Sequence, residues 1–368
     1  MPGKTLTSIS KLELRTAYGP VFRNVLDSPP RPCTAEEILI IDLKPLRSDN
    51  LEERRALAKE IRAASINSGF FYIQNHGVDD KTIADAKKQL LAFFKQPKSK
   101  YFNGYKPART SNINVGESVD VKESLGWRYD PKYDPRYKDP AAVPEDVKPY
   151  IRGEDFASGR KMHTCLDLRT KYLPSRYQTL THLSWAACLT LARKLVKIFA
   201  LSLDLEQTYF DSKTTYPGSD GVFNYYPPRT EEEIRNNFVG LGSHTDLQLF
   251  TLLWLDMTGG LQVLNKDGQW IIATPIEGTI VVNIGDFMIR LCNDTYILRV
   301  SMPFFFGIKF NSVEGVIPSC TSEANPAKYE PISCGDWCQL RFKGEEEESR
   351  GKIAALKAQA PSAVVVAA

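Results

Sequence analysis

The sequence predicts a mainly β protein, a double-sheet β-sandwich or jelly roll with helices packed on its outside. Short β-rich runs separated by turns fill residues 221–310, a spacing typical of this class. Asp267-Gly268 lies between two of these runs and is a strong hairpin signal. A long amphipathic pattern over His182–Leu203 predicts a helix that backs the sheet.

The N-terminal half alternates strand and helix signals. Ile38–Ile41 is a short apolar run that predicts a buried strand, and Phe70–Ile73 predicts a second one. Between them Asp49 is the expected cap of a helix, with Glu52 in the position of a capping box. Residues 106–155 show no sustained periodicity, so we expect mainly loops and a surface insertion there.

The composition is that of an ordinary globular protein, with 42% hydrophobic and 25% charged residues. Its 47 basic and 44 acidic residues leave a net charge of +3 without a long basic run. No apolar stretch approaches the about 18 residues of a membrane span, and Met1–Ser10 lacks a signal-peptide core. Seven cysteines without framework spacing fit reduced thiols. We therefore expect a soluble, cytoplasmic protein with neither nucleic acid nor membrane as partner.

The segment GSHTDLQLF, residues 242–250, carries the first chemical motif. It reads as a β-strand, on which His244 and Asp246 would project from the same face while Thr245 points away. One imidazole and one carboxylate are two of the three ligands of the facial triad that binds non-haem Fe(II) and leaves positions open for substrate and oxygen. A His-x-Asp triplet also arises by chance, so two polar strand residues without a metal are the alternative interpretation.

The segment LRVSMPFFF, residues 298–306, carries the second motif. Arg299 and Ser301 again share a face of a predicted strand. A guanidinium beside a hydroxyl is suited to hold the far carboxylate of a dicarboxylate such as 2-oxoglutarate. A surface arginine on an edge strand is the alternative for this motif alone.

Four stretches together resemble one known family. They are IIDL leading into GFFYIQNHGV; NYYPP; HTD with GGLQVLNKDGQWI and VVNIGDFM; and RVSMPFFF. In their order and spacing over residues 38–310 they resemble the Fe(II)/2-oxoglutarate-dependent dioxygenases, in the branch of isopenicillin N synthase and the plant flavonoid and gibberellin oxygenases. The resemblance implies a double-stranded β-helix (jelly roll) core, an N-terminal α/β cap and flanking helices.

The resemblance also implies roles for particular residues. It makes His244 and Asp246 iron ligands, and it gives 2-oxoglutarate a clamp and further contacts: Arg299, Ser301, Tyr226 and, close by, Asn224. Phe223 and Phe305 are candidates for the substrate pocket, and His76 is expected to stabilise a turn of the cap. The implied reaction uses Fe(II), 2-oxoglutarate and O2 to hydroxylate, desaturate or cyclise a small organic substrate, with secondary metabolism as the expected setting.

Five regions are expected along the chain. They are an N-terminal extension (1–36), the N-terminal dioxygenase cap region with its insertion (37–155), flanking helices (156–215), the Fe(II)/2-oxoglutarate dioxygenase jelly-roll core (216–312), and a C-terminal segment with a frayed tail (313–368).

The sequence departs from the family at the second histidine ligand. The family places this histidine shortly before the Arg-x-Ser pair, but here Tyr296 is followed almost at once by Arg299, and no histidine comes after His244. The short interval predicts the loss of roughly a dozen residues, about one core strand. Cys292 and Asp294 are the nearest residues that could replace the ligand.

Three interpretations of this gap are open. The chain is a mis-joined or mis-spliced form of an active enzyme, a pseudoenzyme that keeps only carboxylate binding, or an active enzyme with a rearranged site. His163 and His182 lie on helical segments far away in sequence. The first interpretation is favoured, because both the His-x-Asp and the Arg-x-Ser pairs are intact.

Overall fold

A computed structural model describes seven stretches of the chain. They are residues 8–16, 19–95, 105–127, 129–137, 143–148, 175–296 and 304–342. The predictions made for His163, Arg299 and Ser301 fall outside these stretches.

The described residues form the following helices and strands. The helices are α1 (Leu51–Asn67), α2 (Asp80–Phe94), α3 (Ser175–Ser202), α4 (Glu231–Arg235), α5 (Asp286–Leu291) and α6 (334–342). The strands are β1 (Ile9–Thr16), β2 (Gly19–Leu26), β3 (Arg31–Pro32), β4 (Leu39–Asp42), β5 (Phe70–Gln74), β6 (Tyr105–Lys106), β7 (Glu123–Trp127), β8 (Gly221–Tyr225), β9 (Phe250–Leu253), β10 (Gln262–Leu264), β11 (Trp270–Ile272), β12 (Ile280–Ile284), β13 (Phe304–Phe306), β14 (Val313–Glu314) and β15 (Ile332–Ser333).

An eight-stranded major sheet forms the centre of the fold, in the order β4-β5-β12-β9-β13-β8-β7-β6. Within it β4 and β5 are parallel, and the other neighbouring strands are antiparallel. A minor sheet of three strands, β10-β11-β3, packs against one end of its inner face, where Phe70 and Tyr72 meet Val263 and Ile271. The mainly β class with helices is confirmed.

The outer face of the major sheet is apolar and covered by helices. Phe199 of α3 packs on Phe250 of β9, with ring centroids 5.0 Å apart, and Phe250 packs on Phe306 of β13 at 5.2 Å. Leu57 and Ile61 of α1 belong to the same buried cluster. Because side chains alternate along a strand, the residues between these point to the inner face, between the two sheets.

Several local predictions were wrong. Helix α1 is capped by Asn50, whose side chain accepts a hydrogen bond from the backbone of Glu52, and not by Asp49. The region 106–155, predicted as mainly loops and a surface insertion, is mostly irregular in its described residues but also contains β7. Residues 242–249, predicted as part of a strand, are irregular, because their backbone groups form hydrogen bonds with the start of α5 and with β13. Strand β9 begins only at Phe250.

Two further features bear on earlier expectations. His76 is buried, and its Nδ1 accepts a hydrogen bond from the backbone of Val78 at 3.1 Å, which holds the turn after β5.

Within the part of the chain that the structure describes, no helix has the length and apolar character needed to cross a membrane.

A buried ion pair ties α3 to the segment that follows β7. Arg193 donates to both carboxylate oxygens of Asp134, at 2.5 and 2.6 Å, and both side chains are almost fully buried. Tyr129 also donates to Asp134, at 2.7 Å. The charge on Arg193 is therefore balanced only while this carboxylate is present.

We expect Asp134→Asn to lower the free energy of unfolding by about 3–5 kcal/mol, because it leaves a buried guanidinium without its counter-charge. Urea unfolding followed by circular dichroism measures the effect. The matched control is Asp211→Asn, which removes the half-exposed ion pair with Lys197 and should cost about 0–1 kcal/mol. Equal losses in the two variants would contradict the argument.

Candidate active site

The segment that carries His244 and Asp246 is held by backbone hydrogen bonds to the start of α5. The carbonyl of Asp246 accepts from the backbone of Asp286 at 2.7 Å, and the backbone of Gly285 donates to the carbonyl of Leu249 at 3.0 Å. A Cβ atom at Gly285 would lie only 2.3 Å from the carbonyl oxygen of Gln248, so the close approach of the two segments requires glycine there. The segment is thereby fixed although it is not a strand.

His244 is oriented by its own backbone environment. Its Nδ1 lies 2.8 Å from the carbonyl of Gly242, an acceptor, so the hydrogen is on Nδ1 and the lone pair is on Nε2. This arrangement is the usual one for a metal-binding imidazole. Nε2 lies 3.7 Å from Oδ1 of Asp246, and both side chains are buried.

Asp246 is oriented by two polar side chains of the inner face. Its Oδ2 accepts from Oγ1 of Thr251 at 2.6 Å and from Nδ2 of Asn283 at 2.8 Å. Thr251 and Asn283 are direct partners in the pairing of β9 with β12, so they act from the same face. Both donors bind the same oxygen, and the other oxygen is the one nearest to Nε2 of His244.

Thr245 points away from this pair and is anchored in the interior. Its hydroxyl donates to Oδ2 of Asp286 at 2.8 Å, and the guanidinium of Arg341 lies 3.1 Å from both oxygens. Trp337, one helical turn before Arg341 in α6, donates its indole N–H to the carbonyl of Leu247 at 3.1 Å. Helix α6 therefore holds the segment at two points, at Thr245 between the two candidate ligands and at Leu247 just after them.

The predicted cosubstrate contacts lie on the same inner face. Asn224 of β8 pairs with Ser124 of β7, and Tyr226 follows two residues later on the same side. The ring of Tyr226 packs on Gly240, where a Cβ would be only 2.9 Å away. Phe305 is paired with Thr251, so it also faces inward, beside the donors to Asp246.

Phe223 is not brought to this face. It alternates with Asn224 and packs on the outer side of the sheet with three buried side chains, Phe93, Phe94 and Leu125. Phe93 and Phe94 belong to α2, which covers β8 there. Arg299 and Ser301 lie outside the described residues, so the clamp itself stays a prediction.

Comparison with known proteins identifies the family. The family model of the N-terminal region of non-haem dioxygenases in morphine synthesis matches residues 38–146, and that of the 2OG-Fe(II) oxygenase superfamily matches residues 219–307. The 2-oxoglutarate-Fe(II) type oxidoreductase ppzC of Metarhizium majus is 39% identical over 362 residues, which cover 90% of this chain and 94% of that protein. The chain belongs to the 2-oxoglutarate-Fe(II) oxygenase superfamily.

Two more members show how far the similarity extends. The 2-oxoglutarate-Fe(II) type oxidoreductase hxnY of Emericella nidulans is 28% identical, over 86% of this chain and 92% of that protein. The crystal structure of full-length T7H from Neurospora crassa in complex with alpha-KG is 23% identical and superposes with a TM-score of 0.66 over 86% of this chain and 99% of T7H. The predicted jelly-roll core is thereby confirmed. As a member of this superfamily the protein is an oxidoreductase of small metabolites, with Fe(II) as cofactor and 2-oxoglutarate as cosubstrate.

The residues present fit two of the three protein ligands that this oxygenase family provides for iron. Among the described residues, no group of three or more His, Cys, Asp or Glu side chains is arranged to hold a metal ion. Cys292 is buried and bonded within its own turn, to the carbonyl of Ile289 and the backbone N–H of Tyr296, and burial raises the pKa of its thiol to about 12. Asp294 accepts hydrogen bonds from Lys328 and Tyr329. Neither residue completes the oxygenase site.

Four residues of the site were missed by the sequence analysis: Thr251, Asn283, Arg341 and Lys122. Lys122 immediately precedes β7, and its Nζ donates to Oδ1 of Asn224 at 3.0 Å. Burial lowers the pKa of this ammonium to about 8, an effect that Asp120 partly opposes. Val121, Leu125 and Trp127 stand at alternating positions, which is a strand signal, but Glu123 interrupts the pattern and the region is rich in Pro and Asp.

We expect Thr251→Val to weaken metal binding to the apoprotein by about 10–100-fold, the usual cost of losing a side chain that orients a ligand. The replacement keeps the shape of the side chain and removes one donor to Asp246. Anaerobic titration with Fe(II), or with Co(II) as a spectroscopic substitute, gives the affinity. Thr279→Val removes a hydroxyl that donates only to a backbone carbonyl near β12 and serves as the control. Unchanged affinity in Thr251→Val would contradict the role assigned to Thr251.

Proposed function

We propose that this chain binds Fe(II) through His244 and Asp246 and oxidises a small organic metabolite of secondary metabolism. The observation that carries the proposal is the buried pair itself, with Nε2 of His244 and Oδ1 of Asp246 3.7 Å apart. The remaining ring nitrogen of His244 and the second oxygen of Asp246 are already engaged by Gly242, Thr251 and Asn283. Both side chains therefore present one ligand atom to the same place.

In this proposal the chain's own residues supply binding and orientation. Fe(II), when bound, supplies the activation of O2 that is coupled to conversion of 2-oxoglutarate to succinate. Arg299 and Ser301 hold the far carboxylate of 2-oxoglutarate, and Asn224 and Tyr226 contact the cosubstrate from β8. Thr251 and Asn283 fix the carboxylate of Asp246, and Phe305 gives the substrate an apolar contact. The two packed sheets keep water from the reacting groups.

The proposal extends to substrate and location. The near-balanced charge of the chain, +3 overall, favours a free metabolite over nucleic acid as substrate. The cysteines that the structure describes are all unpaired thiols, which agrees with a protein that functions in the reducing cytoplasm. Hydroxylation, desaturation and cyclisation are all open to such a site.

A second candidate function is supported by one observation. The chain has no histidine after His244, and the described residues contain no three-ligand cluster. In this second reading the chain is a catalytically impaired or mis-spliced form that retains only carboxylate binding.

Anaerobic titration of the purified chain with Fe(II) and 2-oxoglutarate distinguishes the two candidates. Our proposal predicts the weak visible charge-transfer band of a chelated iron complex, and succinate formation once O2 is admitted. Added imidazole should strengthen iron binding by at least about 10–100-fold, because it supplies the nitrogen ligand that the sequence lacks. His244→Ala, which removes the remaining histidine ligand, should show no band under either condition.

The opposite result has a definite meaning. A folded protein that gives no band with or without imidazole would contradict the oxygenase proposal for this chain. It would favour the carboxylate-binding alternative.

A further inference from the structure

Lys122 lies on the inner face of the major sheet beside the predicted cosubstrate contacts. The pairing of β7 with β8 sets Glu123 opposite Tyr225, so Lys122 falls opposite Tyr226, one step beyond the last paired residues. The backbone of Lys122 donates to the carbonyl of Gly240 at 3.1 Å, only a few residues before His244. The side chain is half-buried and reaches Asn224.

The ammonium of Lys122 has capacity for an anion. It can donate three hydrogen bonds, and one of them goes to Asn224 at 3.0 Å. Within the described part of the chain no carboxylate oxygen forms an ion pair with it. Asp120, the nearest acid in sequence, accepts from the backbone of Gly242 at 3.0 Å and from the hydroxyl of Ser111 at 2.9 Å, and its charge acts on Lys122 without an ion-pair contact.

Burying the Lys122 ammonium in this way costs free energy of hydration unless a bound ligand compensates the loss. A half-buried ammonium whose single hydrogen-bond partner is a neutral amide loses hydration, and the nearby charge of Asp120 offsets this loss only in part. The lowered pKa of Lys122 reflects the same loss. A carboxylate would use the remaining donors and restore the charge balance.

We propose that Lys122 binds the carboxylate of an organic acid on the inner face of β7 and β8. The inference rests on the proposed function, and it names the substrate class of that site. The predicted clamp of Arg299 and Ser301 is assigned the far carboxylate of 2-oxoglutarate, and Fe(II) would hold its near carboxylate, so Lys122 is left for the acid group of the substrate. The ring of Tyr226, 40% exposed, offers an apolar surface to the body of that acid.

Binding to the metal-free protein tests this inference independently of iron chemistry. Isothermal titration calorimetry is carried out with phenylacetate, with phenylacetamide as its uncharged counterpart, and separately with 2-oxoglutarate. We expect the wild-type protein to bind phenylacetate in preference to phenylacetamide. Lys122→Met should weaken phenylacetate binding by about 10–100-fold, as expected for loss of a charged hydrogen bond. Lys122→Arg should retain most of the affinity.

Lys106→Met is the matched control. Lys106 is an exposed lysine on the adjacent strand β6, so this variant removes the same charge from the same end of the sheet without touching Asn224. Because the charge of Lys106 acts on Lys122 only through space, its removal should weaken phenylacetate binding far less than Lys122→Met does. Weakened binding of 2-oxoglutarate alone in Lys122→Met would assign the carboxylate to the cosubstrate instead of the substrate.

Two further outcomes would overturn the inference: no binding of either acid to the folded wild type, or equal losses in Lys122→Met and Lys106→Met. Should Lys122→Met fail to fold, reductive ¹³C-methylation of the wild type provides a second measurement. The dimethyl-Lys122 resonance, assigned by its absence in Lys122→Arg, should shift on addition of the acid. An unshifted resonance would also overturn the inference.

Discussion

The buried contact between Arg341 and Asp286 is the interaction on which the site depends. The guanidinium and the carboxylate are 3.1 Å apart, both are almost fully buried, and both reach the hydroxyl of Thr245. Removal of either side chain would break this buried contact and loosen the anchoring of Thr245. Thr245 separates the two candidate ligands, and its anchoring sets the backbone of both. Contacts within the protein therefore fix the backbone of both candidate ligands.

Side chains of the major sheet alternate between an outer face that packs under the helices and an inner face that carries the candidate site. Outward residues such as Phe250 and Phe306 pack under the helices and hold the sheet in place. Inward residues at neighbouring positions, Thr251 and Asn283, hold the carboxylate of Asp246. The same alternation continues through β8 and β7, where Asn224 and Lys122 meet. Because side chains alternate between the two faces of a strand, the same strands contribute to the core on one face and to the candidate site on the other.

The sequence predicted the core better than it predicted the site. Apolar runs such as that of β5 and the hairpin at Asp267-Gly268 follow local rules, because burial and turn chemistry act on neighbouring residues. The strand expected at His244 was wrong, since its backbone bonds go to α5, which is distant in sequence. Helix α6 was not predicted either: its buried side at spacing of three and four residues includes Arg341, which reads as a surface residue until Asp286 is known to face it.

Family similarity and the ligand count together define what is unusual about this oxygenase. The similarity to ppzC extends over 90% of the chain, and the two candidate ligands in the HTD segment are oriented as a metal site requires. The third ligand of the family is a histidine that follows the HTD segment, and this sequence contains no histidine beyond His244. From the residues that the structure describes, a metal bound here would have one imidazole and one carboxylate in place of the usual two imidazoles and one carboxylate.

Pulsed electron paramagnetic resonance of the Cu(II)-loaded chain, in buffer without imidazole, tests this central claim most directly, because the modulation of the echo counts the imidazoles coordinated to the metal. The account predicts a single coordinated imidazole, which is lost in His244→Ala. Two coordinated imidazoles, or one that survives in His244→Ala, would contradict it.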